Sequence, residues 1–439
     1  MGIKVTKFGG SSLADAAQFK KVIDILHADE NRRYVVPSAP GKRFKDDDKI
    51  TDLLYHCYDL ATTGKNIDVA FEPIRTRYTQ IVQQLGISYD ITPELDEVYR
   101  NLAAGAKRDY AGSRGEYLNG LIMAAALGWD FVDAAEVIRF NEKGVFDAET
   151  TNRLMSERLS KHQNAVIPGF YGSRADGSIK TFSRGGSDIT GSIVARAVSA
   201  ELYENWTDVS GFMVVDPRVV PHSKTIKTIT YRELRELSYM GATVLHEDAI
   251  FPVSRCGIPI NIRNTNAPQE NGTMIVASVD KDERETVVTG IAGKKGFTVI
   301  TLEKDMMNVE RGFGRKVLQA LEKHGISFEH MPTGIDTMSI VVADRELRDK
   351  QEDVLREINQ TAHPDSIEVQ SGLALIAVVG RGMIRAAGTS GRVFAALGKH
   401  DINVRMIDQG SCELNIIIGV DEASFEVGLN AIYDEFFGK

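Results

Sequence analysis

Up to about Asp280, short runs of β-branched and aromatic residues alternate with longer stretches whose apolar positions recur every three or four residues. The runs predict strands at Ile3–Thr6, Tyr34–Pro37, Ala165–Pro168, Ser178–Thr181, Leu202–Trp206 and Pro259–Ile262. The periodic stretches predict helices such as Leu13–His27, Thr51–Ala61, Glu116–Ala126, Ile189–Val198 and Tyr231–Tyr239. Strands separated by helix-length crossovers build a mainly parallel sheet with helices on both faces. This half therefore reads as α/β. Beyond the polar, charged stretch Val279–Glu285 the pattern shortens to strand, helix, strand units of α+β type.

Those units repeat at an offset of 76 residues. Val317, Ala320, Leu321, Lys323, His324 and Ile326 recur as Val393, Ala396, Leu397, Lys399, His400 and Ile402, while Val299–Thr301 matches Leu375–Ala377 and Ile340–Val342 matches Ile416–Ile418. Two amphipathic helices share apolar spacing by chance, but three aligned elements at one offset point to a duplicated module. The organisation expected is an α/β domain over 1–283 and two small modules over 290–368 and 370–439.

A chain of 439 residues exceeds the size of one core. Its formal charge of -9 leaves no footprint for a polyanion, so nucleic acid is not an expected partner. Cys57, Cys256 and Cys412 are odd in number and form no C-x-x-C pair, which suits a reducing compartment. The absence of an apolar leader or an 18-residue apolar run makes cytoplasm the expectation and a membrane partner unexpected.

The chemistry begins at Lys7-Phe8-Gly9-Gly10-Ser11-Ser12, a strand end and glycine turn that open onto a helix. Glycines admit an anion close to the backbone, the helix start offers unpaired N–H groups, and the lysine neutralises phosphate oxygens. A plain turn with a surface lysine would look alike. A second turn, Thr181-Phe182-Ser183-Arg184-Gly185-Gly186-Ser187-Asp188, adds a guanidinium and an acid before another helix. Between and after these lie Ser113-Arg114-Gly115-Glu116, where Ser113 and Glu116 read as a capping box at a helix start, then Trp206-Thr207-Asp208-Val209 and Asp216-Pro217-Arg218. No P-loop, Ser-His-Asp set or histidine metal cluster is present, and no metal site is expected in the protein itself.

In this order the motifs resemble those of the aspartate kinases in the amino-acid kinase family, with a duplicated regulatory module of the ACT type, and the likeness runs over essentially the whole chain. Val36 to Gly41 and Glu233 to His246 match further segments of that pattern. The resemblance implies ATP-dependent phosphorylation of the aspartate side-chain carboxylate, with Mg2+, by a monofunctional enzyme of lysine, threonine and methionine biosynthesis. It implies catalytic roles for Lys7 and Asp188, substrate contacts from Ser38, Thr51, Glu116 and Arg184, and nucleotide contacts from Lys7, Gly9, Gly10, Ser11, Thr207, Asp208, Met213, Asp216 and Arg218. Such chemistry needs little base catalysis, because the carboxylate is already ionised; it needs positive charge to bring two anions together.

Three segments depart from the family pattern: Met213 stands where a tyrosine is usual, Thr243 and Glu247 around one motif replace a lysine and a proline, and Lys42 to Lys49 form a charged insertion expected to be a solvated loop. The ACT resemblance implies a homo-oligomer and feedback by an amino acid, lysine first and threonine next. Met307, Phe313, Gly314, Ser327, Phe328 and Glu329 are the expected effector contacts, although Met307, Phe313 and Phe328 read equally as core. The alternatives are a kinase for another acidic amino acid and a non-catalytic amino-acid sensor on the same fold.

Overall fold

The computed structural model describes residues 2–183, 185–242, 250–279 and 287–438. They form two compact units whose boundaries interleave: the first holds the chain to Phe212, Thr225–Arg232 and 250–279, the second Met213–Lys224, Glu233–Ala242 and 287–438.

The first unit is built on an eight-stranded sheet in the order Asp130–Phe131, Ala165–Val166, Arg32–Pro37, Lys4–Phe8, Leu202–Thr207, Ile260–Asn264, Thr273–Val276, Thr228–Thr230. The first six strands run parallel and the last two reverse. Five of the six predicted strands lie in this sheet. Ser178–Thr181 instead contributes Ile179–Thr181 to a separate antiparallel ribbon with Tyr171–Ser173. Its alternation was real, but a short polar turn closes it onto its own neighbour rather than sending it through a crossover.

Chain order turns back at Lys4–Phe8: one connection leads to Arg32–Pro37 on one side, and Leu202–Thr207 pairs on the other. Such a switch leaves a crevice at the carboxyl ends of the strands. On one face Phe8 stacks on Trp206 with centroids 5.9 Å apart, and beneath them Arg32 makes a bidentate pair with the fully buried Glu204 at 2.7 and 3.2 Å. A large core of Phe19, Leu54, Phe71, Tyr78, Leu95 and Leu118 seats the helices outside it.

The second unit carries one five-stranded antiparallel sheet, ordered Thr337–Ala343, Gly290–Glu303, Ser366–Val379, Asn415–Asp421, Val404–Asp408. Its two 14-residue strands, Gly290–Glu303 and Ser366–Val379, start 76 residues apart and pair along their length. The repeat read from apolar positions is thus a repeat of structure, with Phe313–Lys323 answered by Thr389–Gly398. Each long strand serves both modules, one half in each, so the junction expected at 368–370 falls inside a strand.

Candidate active site

Lys7 and Asn205 are register neighbours on the two central strands, and both are buried. Opposite them the helix Gly186–Ala197 begins; Gly185 caps it at φ 58°, a left-handed conformation that suits glycine, so that Asp188 lies in its first turn. There Lys7 Nζ meets Asp188 Oδ1 at 2.6 Å, and Asn205 Nδ2 donates to the same oxygen at 2.8 Å. The Tyr203 hydroxyl donates to the Asp188 carbonyl at 3.1 Å and fixes the turn from below.

The first glycine loop leaves the same strand. Gly9 N–H donates to the Trp206 carbonyl at 2.9 Å, and Gly10 accepts from Gly41 N–H at 2.8 Å. A Cβ on Gly41 would sit 2.6 Å from the Gly10 carbonyl carbon, so only glycine permits this approach of two backbones. Gly9, Gly10 and Ser11 are partly exposed above Lys7, whereas Ser12 turns inward to Thr265 at 2.8 Å. The 42–49 loop is solvated as expected except for Asp47, which is buried between Arg43 and Arg77 with contacts of 2.8 Å to each. Those guanidiniums hold its carboxyl far below the usual range, first through the Arg43 hydrogen bond. Arg77 also donates to the Gly41 carbonyl at 3.1 Å, so the loop is anchored to the glycine turn.

Glu116 reaches the crevice from a helix spanning Arg108–Leu127, longer than the predicted one. Ser113 is therefore no N-cap. It sits in the second turn and its hydroxyl donates back to the Tyr110 carbonyl at 2.7 Å, because Arg108, Asp109 and Tyr110 extend the helix ahead of it. Small residues allow the helix to approach: a Cβ on Gly115 would meet Ala39 Cβ at 2.7 Å. Burial pushes the Glu116 carboxyl up to about 8, although the Ala39 backbone N–H and the Lys7 and Arg114 charges pull the other way. Its Oε2 is buried with no hydrogen-bond partner among the described residues. Ser38, partly exposed, takes its place through a 3.0 Å bond from its N–H to the Phe8 carbonyl, and Asn119 Nδ2 donates to the Ser38 carbonyl at 2.6 Å. Thr51 lies in the first turn of the helix Ile50–Thr62 and is half-buried. Arg184 lies outside the described residues, as do Thr243, His246 and Glu247.

Thr207 ends the central strand and Asp208 follows it, their side chains 3.2 Å apart, with Asp208 exposed. Met213, Asp216 and Arg218 belong to the second unit. Asp216 forms a closed turn there, accepting from the Arg218 backbone N–H at 2.9 Å and pairing with its guanidinium at 2.5 Å.

Of the expected effector residues, Met307 and Phe313 are buried in the core of the first regulatory module beside Val317, Leu321 and Ile340. Gly314 lies half-buried on the helix behind Phe313, 3.3 Å from Met338 Cε were it to carry a Cβ. Ser327 and Phe328 are exposed, so Phe328 is not core. Glu329 accepts a hydrogen bond from the Tyr239 hydroxyl within the same unit.

Asn205, Asn119, Arg77 and Asp47 were not singled out from the sequence. Asn205 carried a signal, an amide inside an otherwise strand-like run two residues before Thr207; the others gain meaning only from contacts distant in the chain.

The amino acid kinase family matches residues 2–264, and the ACT domain matches 376–436. Aspartokinase 3 of Bacillus subtilis is 40% identical over 99% of both chains, and the Lysine-sensitive aspartokinase 3 of Escherichia coli is 28% identical over 99% of both. Among solved structures, the aspartate kinase of Clostridium acetobutylicum, described as an allosteric enzyme, is 54% identical with a TM-score of 0.93 over 99% of this chain and 100% of that one. The E. coli aspartokinase III in complex with aspartate and ADP gives 27% identity and a TM-score of 0.76 over 99% of this chain and 100% of that one. A glycine turn over a lysine–aspartate pair, a buried glutamate across the crevice and a duplicated C-terminal module thus agree with full-length likeness: the chain is an aspartate kinase of the amino acid kinase family, with C-terminal ACT modules.

Proposed function

We propose that this enzyme transfers the γ-phosphoryl group of ATP to the side-chain carboxylate of L-aspartate, giving 4-phospho-L-aspartate, as the first step of a route to lysine, threonine and methionine, in the cytoplasm. The observation that carries the reading is the 2.6 Å Lys7–Asp188 pair at the switch point, facing Glu116, one buried oxygen of which has no partner among the described residues. The nucleophile is the substrate's own ionised carboxylate, so no side chain has to remove a proton. Lys7 stabilises charge on the phosphoryl group in flight, and Asp188 holds its ammonium in position. Gly10 and Ser11 present backbone N–H and hydroxyl donors to the phosphates, while Gly9, whose own N–H is held by the Trp206 carbonyl, leaves the space beside Lys7 free of a side chain. Glu116 receives the substrate ammonium, Arg184 a substrate carboxylate, and Ser38 and Thr51 line the same pocket.

Mg2+ is held in phosphoryl-transfer sites chiefly by the nucleotide's own phosphates with one or two carboxylates. Asp208, exposed at the strand end, has the charge and position to supply such a carboxylate. When bound, the ion neutralises phosphate oxygens beside Lys7.

The effector is lysine, with threonine next, acting through ACT modules that join subunits into a homo-oligomer. A lysine-sensitive relative, and an E. coli aspartokinase III structure in complex with lysine and aspartate, support that choice. Binding to one arrangement of the modules shifts the enzyme by differential affinity. The test is ADP release with aspartate, glutamate and acetylglutamate as acceptors, then with lysine, threonine and methionine added. Equal or better turnover with glutamate would sink the substrate assignment, and full activity in saturating lysine the effector assignment.

A further inference from the structure

The Ser38–Ala39 peptide is gripped from one helix face. Asn119 Nδ2 donates to the Ser38 carbonyl at 2.6 Å, while the N–H of Ala39, the other end of that peptide, lies against the Glu116 carboxyl. Glu116 and Asn119 are three residues apart on the helix Arg108–Leu127 and hence neighbours on its surface. Each retains a buried oxygen that has no partner among the described residues, Glu116 Oε2 and Asn119 Oδ1. Asn119 is fully buried. Its amide cannot be the other way round, since an oxygen would then face the Ser38 carbonyl oxygen.

Buried acceptors without donors are uncommon in a folded chain and call for an explanation. Two on adjacent positions beside the strand end that carries Ser38 suit a ligand with several N–H donors and a positive charge. An ammonium has three donors and no acceptor. We propose that Asn119 Oδ1 is a second acceptor for the substrate's α-ammonium, working beside Glu116, so that the enzyme selects an amino-bearing dicarboxylate over a plain one. This rests on the aspartate reading above and adds a residue to it.

The experiment compares L-aspartate with succinate, which has both carboxylates and lacks the ammonium, in Asn119→Leu and, in case the leucine variant does not fold, Asn119→Ser. Loss of a hydrogen bond to a charged group should raise the aspartate KM roughly tenfold or more, while the inhibition constant of succinate and the KM for ATP stay within about twofold. A merely structural role would move aspartate and succinate by the same factor, and that result overturns the proposal, as does an unchanged aspartate KM. Should succinate not inhibit even the wild type, the aspartate KM of Asn119→Ser decides, read against an unchanged melting temperature. Wild-type protein without aspartate-dependent ADP release would refute the aspartate reading itself, which is a separate outcome.

Discussion

Asp188 Oδ1 is shared: Lys7 Nζ lies 2.6 Å from it and Asn205 Nδ2 2.8 Å, so one carboxylate oxygen fixes the cation at the switch point from two strands. Lys7→Ala removes the charge that meets the phosphoryl group, and Asp188→Ala releases the lysine from its position. Each should lower kcat by about a thousandfold or more, the scale of losing a main electrostatic stabiliser. Far-UV circular dichroism should stay native. Normal turnover in either variant contradicts the roles assigned.

Asn205→Asp supplies a sharper test of the same geometry. It places a second carboxylate against Asp188, and like charges so close raise the pKa of one of them. The acidic limb of the kcat profile should move to higher pH, whereas Asn205→Ala should lower kcat without moving that limb. Identical pH profiles in the two variants would remove Asn205 from the site.

Glu116 gives a pH dependence with a definite sign. Its carboxyl is raised from 4.5 to about 8, mainly by burial, so the folded state favours the protonated form. The stability this contributes is fully present below pH 4.5 and is lost as pH rises through about 8. Glu116→Gln, neutral throughout, should therefore gain in melting temperature relative to wild type between pH 6 and pH 9. An arriving ammonium favours the carboxylate, so aspartate binding near pH 7 should release a proton, read by calorimetry in two buffers of different ionisation enthalpy. Binding heats independent of buffer would be the contrary result.

Much of the fold was legible because its signals are local. Apolar spacing located the helix Tyr231–Tyr239 to the residue, and the 76-residue offset located both long regulatory strands. The ribbon Tyr171–Ser173 with Ile179–Thr181 was not separable from the main sheet, since a three-residue strand looks the same in either. Lys7, Glu116 and Asp188 were readable as motifs. What holds them was not: Asn205 meets Asp188 across 17 residues, and Asn119 meets Ser38 across 81. The false capping box has the same origin, for the pattern Ser113 to Glu116 is identical whether or not the residues from Arg108 to Gly112 continue the helix ahead of it.

The Arg32–Glu204 pair should matter for stability rather than rate. Glu204 is 1% exposed, bonded by Arg32 and by Trp206 Nε1 at 3.0 Å, and Arg263 lies 3.8 Å away. Removing one partner of such a pair strands a buried charge, which costs about 3–5 kcal/mol. Arg32→Met should lower the melting temperature sharply and leave the aspartate KM of the folded fraction unchanged, since the pair lies on the sheet face opposite Asn205. Arg32→Met with Glu204→Leu should recover most of the loss. A double variant no more stable than the single would show that the strand's packing, and not the stranded charge, sets the cost.

Tyr239 and Glu329 offer a test of effector binding in which two variants move in opposite directions. The Tyr239 hydroxyl donates to the Glu329 carboxylate, and Lys294 Nζ donates to the Tyr239 carbonyl, all within the second unit. If Glu329 takes the ammonium of a lysine effector, the tyrosine hydroxyl competes for the same oxygen. Glu329→Gln removes the charge and should raise the lysine concentration for half inhibition by roughly tenfold, the scale of one lost charged hydrogen bond. Tyr239→Phe removes the competitor and should lower it by a few-fold. Both variants should keep the wild-type kcat without lysine, because neither residue is placed at the phosphoryl group. Half-inhibition values that shift in the same direction, or not at all, would separate Glu329 from the effector and leave its bond to Tyr239 a structural one.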